Sequence, residues 1–201
     1  MKKDLRTLTT GERGWQPPPQ GFFKVNIDGA SKGNPGEAGF GGAIRDPEGY
    51  IKYIFHGHLE KGTNNMVELL ALDQCMEILV EANSQNVIVE VDSELVIKAA
   101  KKIQNGTLLD KVSKHQKLLH IFHRIHSHLQ ILKMIRFVHV RRKENMLADR
   151  LANEGVANKD RDSRHPWELL LAGMLREDCF KLANVDWDLW MDRAASEDRG
   201  G

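Results

Sequence analysis

No stretch of the 201-residue sequence approaches the roughly 20 consecutive apolar residues that a membrane-spanning helix needs. The opening MKKDLRTLTTGERG also lacks the apolar stretch of a signal peptide. No membrane association is expected, and the protein is read as soluble and intracellular, with nucleus and cytoplasm both open. Cysteine is scarce: Cys75 and Cys179 form no CxxC, and no Cys/His spacing suits zinc. Both are expected to be reduced and buried, because each sits in an apolar helical pattern. Glycines cluster in NIDGASKGNPGEAGFGG at residues 26–42, but no GKS or GKT comes after them and no helix starts directly behind. That excludes a mononucleotide loop and leaves a tight hairpin to which another backbone can come close. There is no internal repeat and no low-complexity tract.

Net charge is small, at 29 basic against 28 acidic residues, but it is unevenly placed. Between Lys98 and Arg136 there are nine basic residues and a single acid, Asp110, so this segment carries +8 and the rest of the chain about −7. A globally neutral protein therefore contains a local cationic stretch of the kind that polyanions bind. The plainer reading, a solvated helical face, is equally compatible with so many lysines.

A hydrophobic content of 41% in a chain of this length supports one core of ordinary size. Residues 1–21 are read as an N-terminal extension with a proline-rich linker, since the three prolines of WQPPPQG fix φ and remove donors. From residue 22 the pattern changes. FKVNID alternates with the period of a strand, and GFGGAIRD, the turn PEG and YIKYIFHGHLE read as a β-hairpin. Apolar residues at helical spacing over 63–82 predict a helix with Thr63, Asn64 or Asn65 as its N-cap. NVIVEVD is a strand, and SELVIKAAKKIQNG a helix opened by Ser93 and stopped near Gly106. LLHIFHRIHSHL carries Leu118, Phe122, Ile125 and Leu129 along one stripe; MIRFVHV is strand-like, and NMLADRLANEGV is a closing helix. The expected fold is α/β, a mixed five-stranded sheet of three antiparallel and then parallel strands flanked by helices. Residues 22–158 form that domain. Residues 159–201 are a charged connector, KDRDSRH, an amphipathic helix in HPWELLLAGMLREDCF, and a frayed end. Trp167, Trp187 and Trp190 lie there, and side chains so large pack on the domain or dock a protein partner.

Four carboxylates fall at element boundaries: Asp28 ending the first strand, Glu68 in the first turn of a helix, Asp92 ending the fourth strand and Asp149 in the last helix. Each has a structural explanation. Asp28 could start a turn, Glu68 could close a capping box with Asn65, Asp92 could precede the helix that Ser93 opens, and Asp149 could be solvated between Arg142 and Arg150. Together they point elsewhere, because strand ends and helix starts of an α/β sheet converge on one edge. Converging carboxylates repel unless a cation joins them, and oxygen ligands without Cys or paired His select Mg²⁺ or Mn²⁺. Two such ions about 4 Å apart can activate a water and stabilise the leaving oxygen of a phosphodiester. His120, His123 and His126, with His115 and His128 nearby, lie opposite the apolar stripe with no acid beside them, and read as a solvated, pH-sensitive face.

DGASKGNPGEAGFGGAIRD, TNNMVELLAL, VDS and HVRRKENMLADRLANEG, in this order over residues 22 to 157, resemble the successive motifs of type 1 ribonuclease H, which cuts the RNA strand of an RNA/DNA hybrid. WQPPPQGFFKVNIDGA and the ending HVRRKEN with ADRLA after it are similar to plant domains related to the ribonuclease H of retrotransposons, and the HPWELLLAGMLRED tail resembles the segment C-terminal to the domain in those proteins. The resemblance implies that Asp28, Glu68, Asp92 and Asp149 hold two Mg²⁺ ions, for which Mn²⁺ can substitute, with Asp28 bridging, Glu68 and Asp92 on one ion and Asp149 on the other. It implies that His139, ten residues before Asp149, is a mobile histidine that moves protons and helps release product; taken alone, a histidine on a strand reads as structural. Asn34, Asn64 and Asn65 match residues that touch the hybrid, and Ser93, Lys101 and Lys102 are further candidates for substrate contact. Asn34 is also a good turn residue, and Asn64 or Asn65 a good cap. The expected products are a 5′-phosphate and a 3′-hydroxyl, made by a monomer. The competing expectation is a domesticated nucleic-acid-binding module with the same fold and little turnover, against which the four intact acids speak. A different nuclease or transposase-like enzyme of this fold is the third, against which the glycine-rich hairpin and the TNN motif speak.

Overall fold

The computed structural model describes residues 15–107, 118–159 and 163–166. Lys111, Lys114, Lys117, His115, Cys179 and the tail from Trp167 onward lie outside them, and with them the expected tail helix beyond its first two residues.

The chain runs β1 (Phe23–Gly33), β2 (Gly36–Arg45), β3 (Ile51–Gly62), α1 (Asn64–Glu81), β4 (Asn86–Val91), α2 (Glu94–Gln104), α3 (Leu119–Ile131), β5 (Met134–His139), a 3-10 turn (Arg142–Glu144), α4 (Met146–Ala157) and β6 (Ser163–Pro166). The strands form one mixed sheet in the order β5-β4-β1-β2-β3-β6. β1, β2 and β3 are a meander of antiparallel neighbours, while β4 runs parallel to β1 and β5 parallel to β4. This is the expected five-stranded arrangement. A sixth strand adds to it: Ser163–Pro166, read from sequence as the end of the charged connector and the start of the tail helix, pairs antiparallel with Tyr53, Ile54, Phe55 and His56 of β3. Backbone pairing on an open edge does not require the apolar alternation that marks a strand with one buried face.

β1 is central, and both of its faces are covered. Val25 and Ile27 enter the main core with Leu72, Met76, Ile103, Ile121 and Ile125, beneath α1, α2 and α3. Full burial of side chains of this size contributes about 1.5–3 kcal/mol each. On the other face Ala43, Ile51 and Ile54 pack against Leu147 and Leu151 of α4. α4 comes so close to the sheet that a Cβ at Gly41 would stand 2.6 Å from the carbonyl carbon of Leu151. Gly39 and Gly41 of GFGG are thus where a helix backbone lies on a strand, while Gly42 makes room for the Phe55 ring.

Three local expectations change. β1 continues through GASKG, with Lys32 opposite Glu37 and Gly33 opposite Gly36, so Asp28 lies within a strand rather than at its end. The N-cap of α1 is Thr63, whose side chain accepts from the N–H of Met66 at 3.3 Å. Glu68 is therefore the fifth helical residue, beyond the first turn, and the capping box with Asn65 is not formed. Finally, the histidines of α3 do not all face water. His120 and His123 are exposed, but His126 lies 2.8 Å through Nδ1 from the carbonyl of Ile103 on α2, tying the two helices together. His128 is half-buried and attracts the carboxylate of Asp73 on α1, itself buried and paired with Arg124. An acid does accompany these histidines, contributed by a helix distant in sequence.

Candidate active site

A cleft of about 430 Å³ is lined by Asp28 to Ser31 of β1, Asn64 and Glu68 of α1, Asp92 and Ser93 after β4, and Arg142, Asp149 and Asn153 around α4. Local structure explains each placement. A Cβ on Gly29 would stand 2.6 Å from the backbone nitrogen of Glu68, so the absent side chain lets α1 press directly on β1 beside Asp28. Ser93 caps α2 by accepting from the N–H of Val96 at 3.4 Å, which holds Asp92 at the strand-to-helix turn. Asp149 sits in the first turn of α4, where a helix dipole favours a negative charge.

Ligand oxygens of Asp28, Glu68 and Asp92 all lie within 4.8 Å of one another. Asp149 lines the same cleft, and one of its oxygens accepts from the Arg142 guanidinium at 2.6 Å. The acids repel one another in a poorly hydrated place. Burial raises the Asp28 carboxyl to about 7, with repulsion from Asp92 and Asp149 adding to the rise while the Gly29 N–H, at 2.8 Å, and Arg142 oppose it. Burial likewise raises Glu68 to about 9, aided by Asp28 and Asp92. Asp92 is raised chiefly by burial, against its own backbone N–H and Arg142.

This donor set fits hard divalent cations. It contains oxygen only, and Oε2 of Glu68 is buried with no hydrogen-bond partner, an arrangement that costs free energy unless something positive meets it. A bound cation would supply the missing partner and reverse the rise in all three carboxyl groups.

The other sequence candidates divide. Asn64 and Ser93 line the cleft, and the exposed Asn34, in the two-residue loop between β1 and β2, accepts from the Asn64 N–H at 3.3 Å. Asn65 is exposed next to it at the start of α1. His139 ends β5 and is exposed, with Nε2 3.1 Å from the carbonyl oxygen of Asp92. Lys101 and Lys102 are exposed in the last turn of α2 and are not among the cleft-lining residues. Sequence reasoning missed the part played by Arg142 and Asn153. The signal for Asn153 was present, since it stands one helical turn after Asp149 and its amide donates to the carbonyl of Asp149 at 2.7 Å.

The reverse transcriptase-like family matches residues 26–155. A ribonuclease H of Thiobacillus denitrificans is 35% identical over 140 residues, which cover 66% of this chain and 91% of the relative. An Arabidopsis thaliana protein provisionally named a ribonuclease H protein is 33% identical over 168 residues, 82% of this chain, but the chain spans only 26% of that relative's length. Among solved structures, an N-terminal RNase H domain from Mycobacterium tuberculosis superposes with a TM-score of 0.59 at 26% identity, covering 68% of this chain and 94% of that one. LC11-RNase H1, solved in complex with an RNA/DNA hybrid, gives 0.57 at 28% identity, over 67% and 96%. The chain belongs to the reverse transcriptase-like family, and its sheet and helices are those of a ribonuclease H-like domain.

Proposed function

We propose that this chain is a type 1 ribonuclease H of the plant retrotransposon-related group, an endonuclease that hydrolyses the RNA strand of RNA/DNA hybrids to 5′-phosphate and 3′-hydroxyl ends. The observation that carries the reading is the carboxylate trio Asp28, Glu68 and Asp92 within 4.8 Å, containing a buried, unpartnered oxygen of Glu68. Similarity to ribonuclease H proteins, one of them solved with a hybrid bound, supports the choice of substrate.

Asp28, Glu68, Asp92 and Asp149 would hold two Mg²⁺ ions. When bound, such ions supply a water nucleophilic at neutral pH and neutralise charge on the leaving oxygen. The remaining steps belong to side chains. The carbonyl of Asp92 can only accept, so the bond at 3.1 Å requires the proton of His139 on Nε2 and leaves Nδ1 free to take up a proton. His139 is exposed, so that proton can pass to solvent. Asn64 and Ser93 in the cleft, with the exposed Asn34 and Asn65 beside Asn64, offer amide and hydroxyl groups that can meet sugar and phosphate, where a 2′-OH distinguishes RNA from DNA. Lys101 and Lys102, exposed on α2 and outside the cleft lining, add attraction without sequence preference.

The test is to incubate the full chain with labelled RNA/DNA hybrid, double-stranded RNA and double-stranded DNA in Mg²⁺, Mn²⁺ or EDTA. Cleavage of the hybrid alone, abolished by EDTA, is expected. Binding of the hybrid without cleavage in either metal would replace this reading with that of a binding module.

A further inference from the structure

Beneath the cleft, on the face of the sheet that α4 covers, polar and aromatic side chains form one buried network centred on Asn26. This residue is fully buried on β1, two positions before Asp28. Its Oδ1 accepts from the indole N–H of Trp15 at 3.0 Å and from the Arg45 guanidinium at 2.9 Å. Its amide donates to Glu90 at 3.0 Å and to Oδ1 of Asn145 at 3.2 Å, which uses both halves of the side chain. Glu90 pairs with Lys24 at 2.7 Å. The Trp15 ring, only 6% exposed, lies 4.5 Å from the Arg45 guanidinium carbon and 5.2 Å from the Lys24 ammonium, so its face offsets part of the charge burial that both cations suffer. Lys24 also donates to the carbonyl of Gln16 at 2.6 Å, fastening the WQPPP segment a second time.

Asn145 is where this network meets the cleft. It too is fully buried, and it donates to the carbonyl of Ile27 at 2.8 Å, the residue before Asp28. Its own carbonyl accepts from the backbone N–H of Asp149 at 3.0 Å. One side chain and one backbone carbonyl thus join the strand bearing Asp28 to the helix bearing Asp149, elements that are distant in sequence and whose carboxylates repel.

We propose that Asn145 and Trp15 are positioning residues for the hydrolysis proposed above: Asn145 sets the separation of Asp28 and Asp149, and the indole N–H of Trp15 orients Asn26 so that Asn145 keeps its place. The segment around Trp15 then belongs to the catalytic scaffold, and a boundary at residue 22 would cut through it. This rests on the two-metal reading for its kinetic consequences, but not for its effect on metal affinity. Misplacing reacting groups by about 1 Å costs on the order of 100-fold in rate. Groups that orient metal ligands are worth on the order of 10-fold or more in affinity.

The test compares Trp15→Phe, Trp15→Ala and Asn145→Ala in the full chain by thermal denaturation, by Mn²⁺ titration calorimetry without substrate, and by kcat and KM on the hybrid. Trp15→Phe keeps a ring over Lys24 and Arg45 but removes the donor to Asn26. Expected is a near-parental melting temperature for Trp15→Phe, with Mn²⁺ affinity weakened several-fold or more, kcat reduced about tenfold or more and KM little changed. Asn145→Ala should show the same split with a larger loss. If Trp15→Phe restores affinity and kcat along with stability, the segment only packs and the proposal is overturned, whether or not Asn145→Ala folds. Failure of the unaltered chain to cleave hybrid would defeat the hydrolysis reading while Mn²⁺ affinity still decides the positioning role. Failure of that chain to bind Mn²⁺ would overturn both.

Discussion

The guanidinium of Arg142 stands 2.6 Å from a carboxylate oxygen of Asp149, and its charge also reaches Asp28 and Asp92. Arg142 is thus a protein-borne cation inside a cluster of acids. Its side chain is 78% exposed, so solvent screens it and the pair contributes less than about 1 kcal/mol to folding. Its larger effect falls on ions that bind the same acids. Arg142→Gln is expected to leave the melting temperature nearly unchanged and to tighten Mn²⁺ binding a few-fold at low salt, measured by calorimetry. Weaker binding would mean that Arg142 holds Asp149 in place instead of competing for it.

Asp28 and Glu68 are raised from 3.8 to about 7 and from 4.5 to about 9, respectively. For a group whose folded value is raised, the folded state holds the proton more tightly. The stabilisation is complete below the unfolded value and is lost as pH rises through the folded one. In EDTA the protein should therefore lose stability progressively as pH rises from about 4 to 9, and Mg²⁺ should restore it most at the alkaline end, as read by thermal melts across pH. Metal binding near neutral pH should also release protons, seen as a buffer-dependent heat.

Glu68→Gln removes a buried carboxyl that, raised to about 9, must take up a proton on folding at pH 8 without metal, while keeping the shape of the side chain. It is expected to raise the melting temperature in EDTA at pH 8 by a few degrees and to abolish cleavage, the opposed effects typical of a strained site. Lower stability in EDTA would mean that Glu68 has a structural partner.

Gly41→Ala puts a methyl group against the backbone of α4, with Leu151 2.6 Å away. Overpacking of this kind costs about 1–3 kcal/mol, and here it would also lift the helix that carries Asp149. A lower denaturation midpoint together with weaker metal binding is expected; loss of stability alone would show that α4 shifts without disturbing the acids.

Much of the sheet was legible because FKVNID alternates with the period of a strand and α2 announces its cap. Ser93 opens α2 as its sequence position suggests, and Gly106, at φ +72°, lies just past its end. Less legible were features whose signal is missing or remote. Residues 29–33 pair as strand, yet GASKG has too few side chains to display a period, so Asp28 looked terminal. Three neighbouring residues could each have capped α1, and only the bond from Thr63 to Met66 decides that Glu68 stands clear of the cap. Asn26 and Asn145 give no local clue to each other, since their bond spans 119 positions of the sequence. Trp15 stood next to prolines that spell a linker, and its burial is visible only with Arg45 and Lys24 folded against it.

The most direct measurement is the cleavage of labelled RNA/DNA hybrid in Mg²⁺ by the full chain and by Asp28→Asn, with folding checked by circular dichroism. The expected result is RNA-strand cleavage by the unaltered chain and loss of at least about 100-fold in rate for Asp28→Asn, with a native spectrum in both. Equal cleavage by the two proteins, or none by the unaltered chain in either Mg²⁺ or Mn²⁺, would contradict the assignment of Asp28 and its neighbours as a catalytic metal centre.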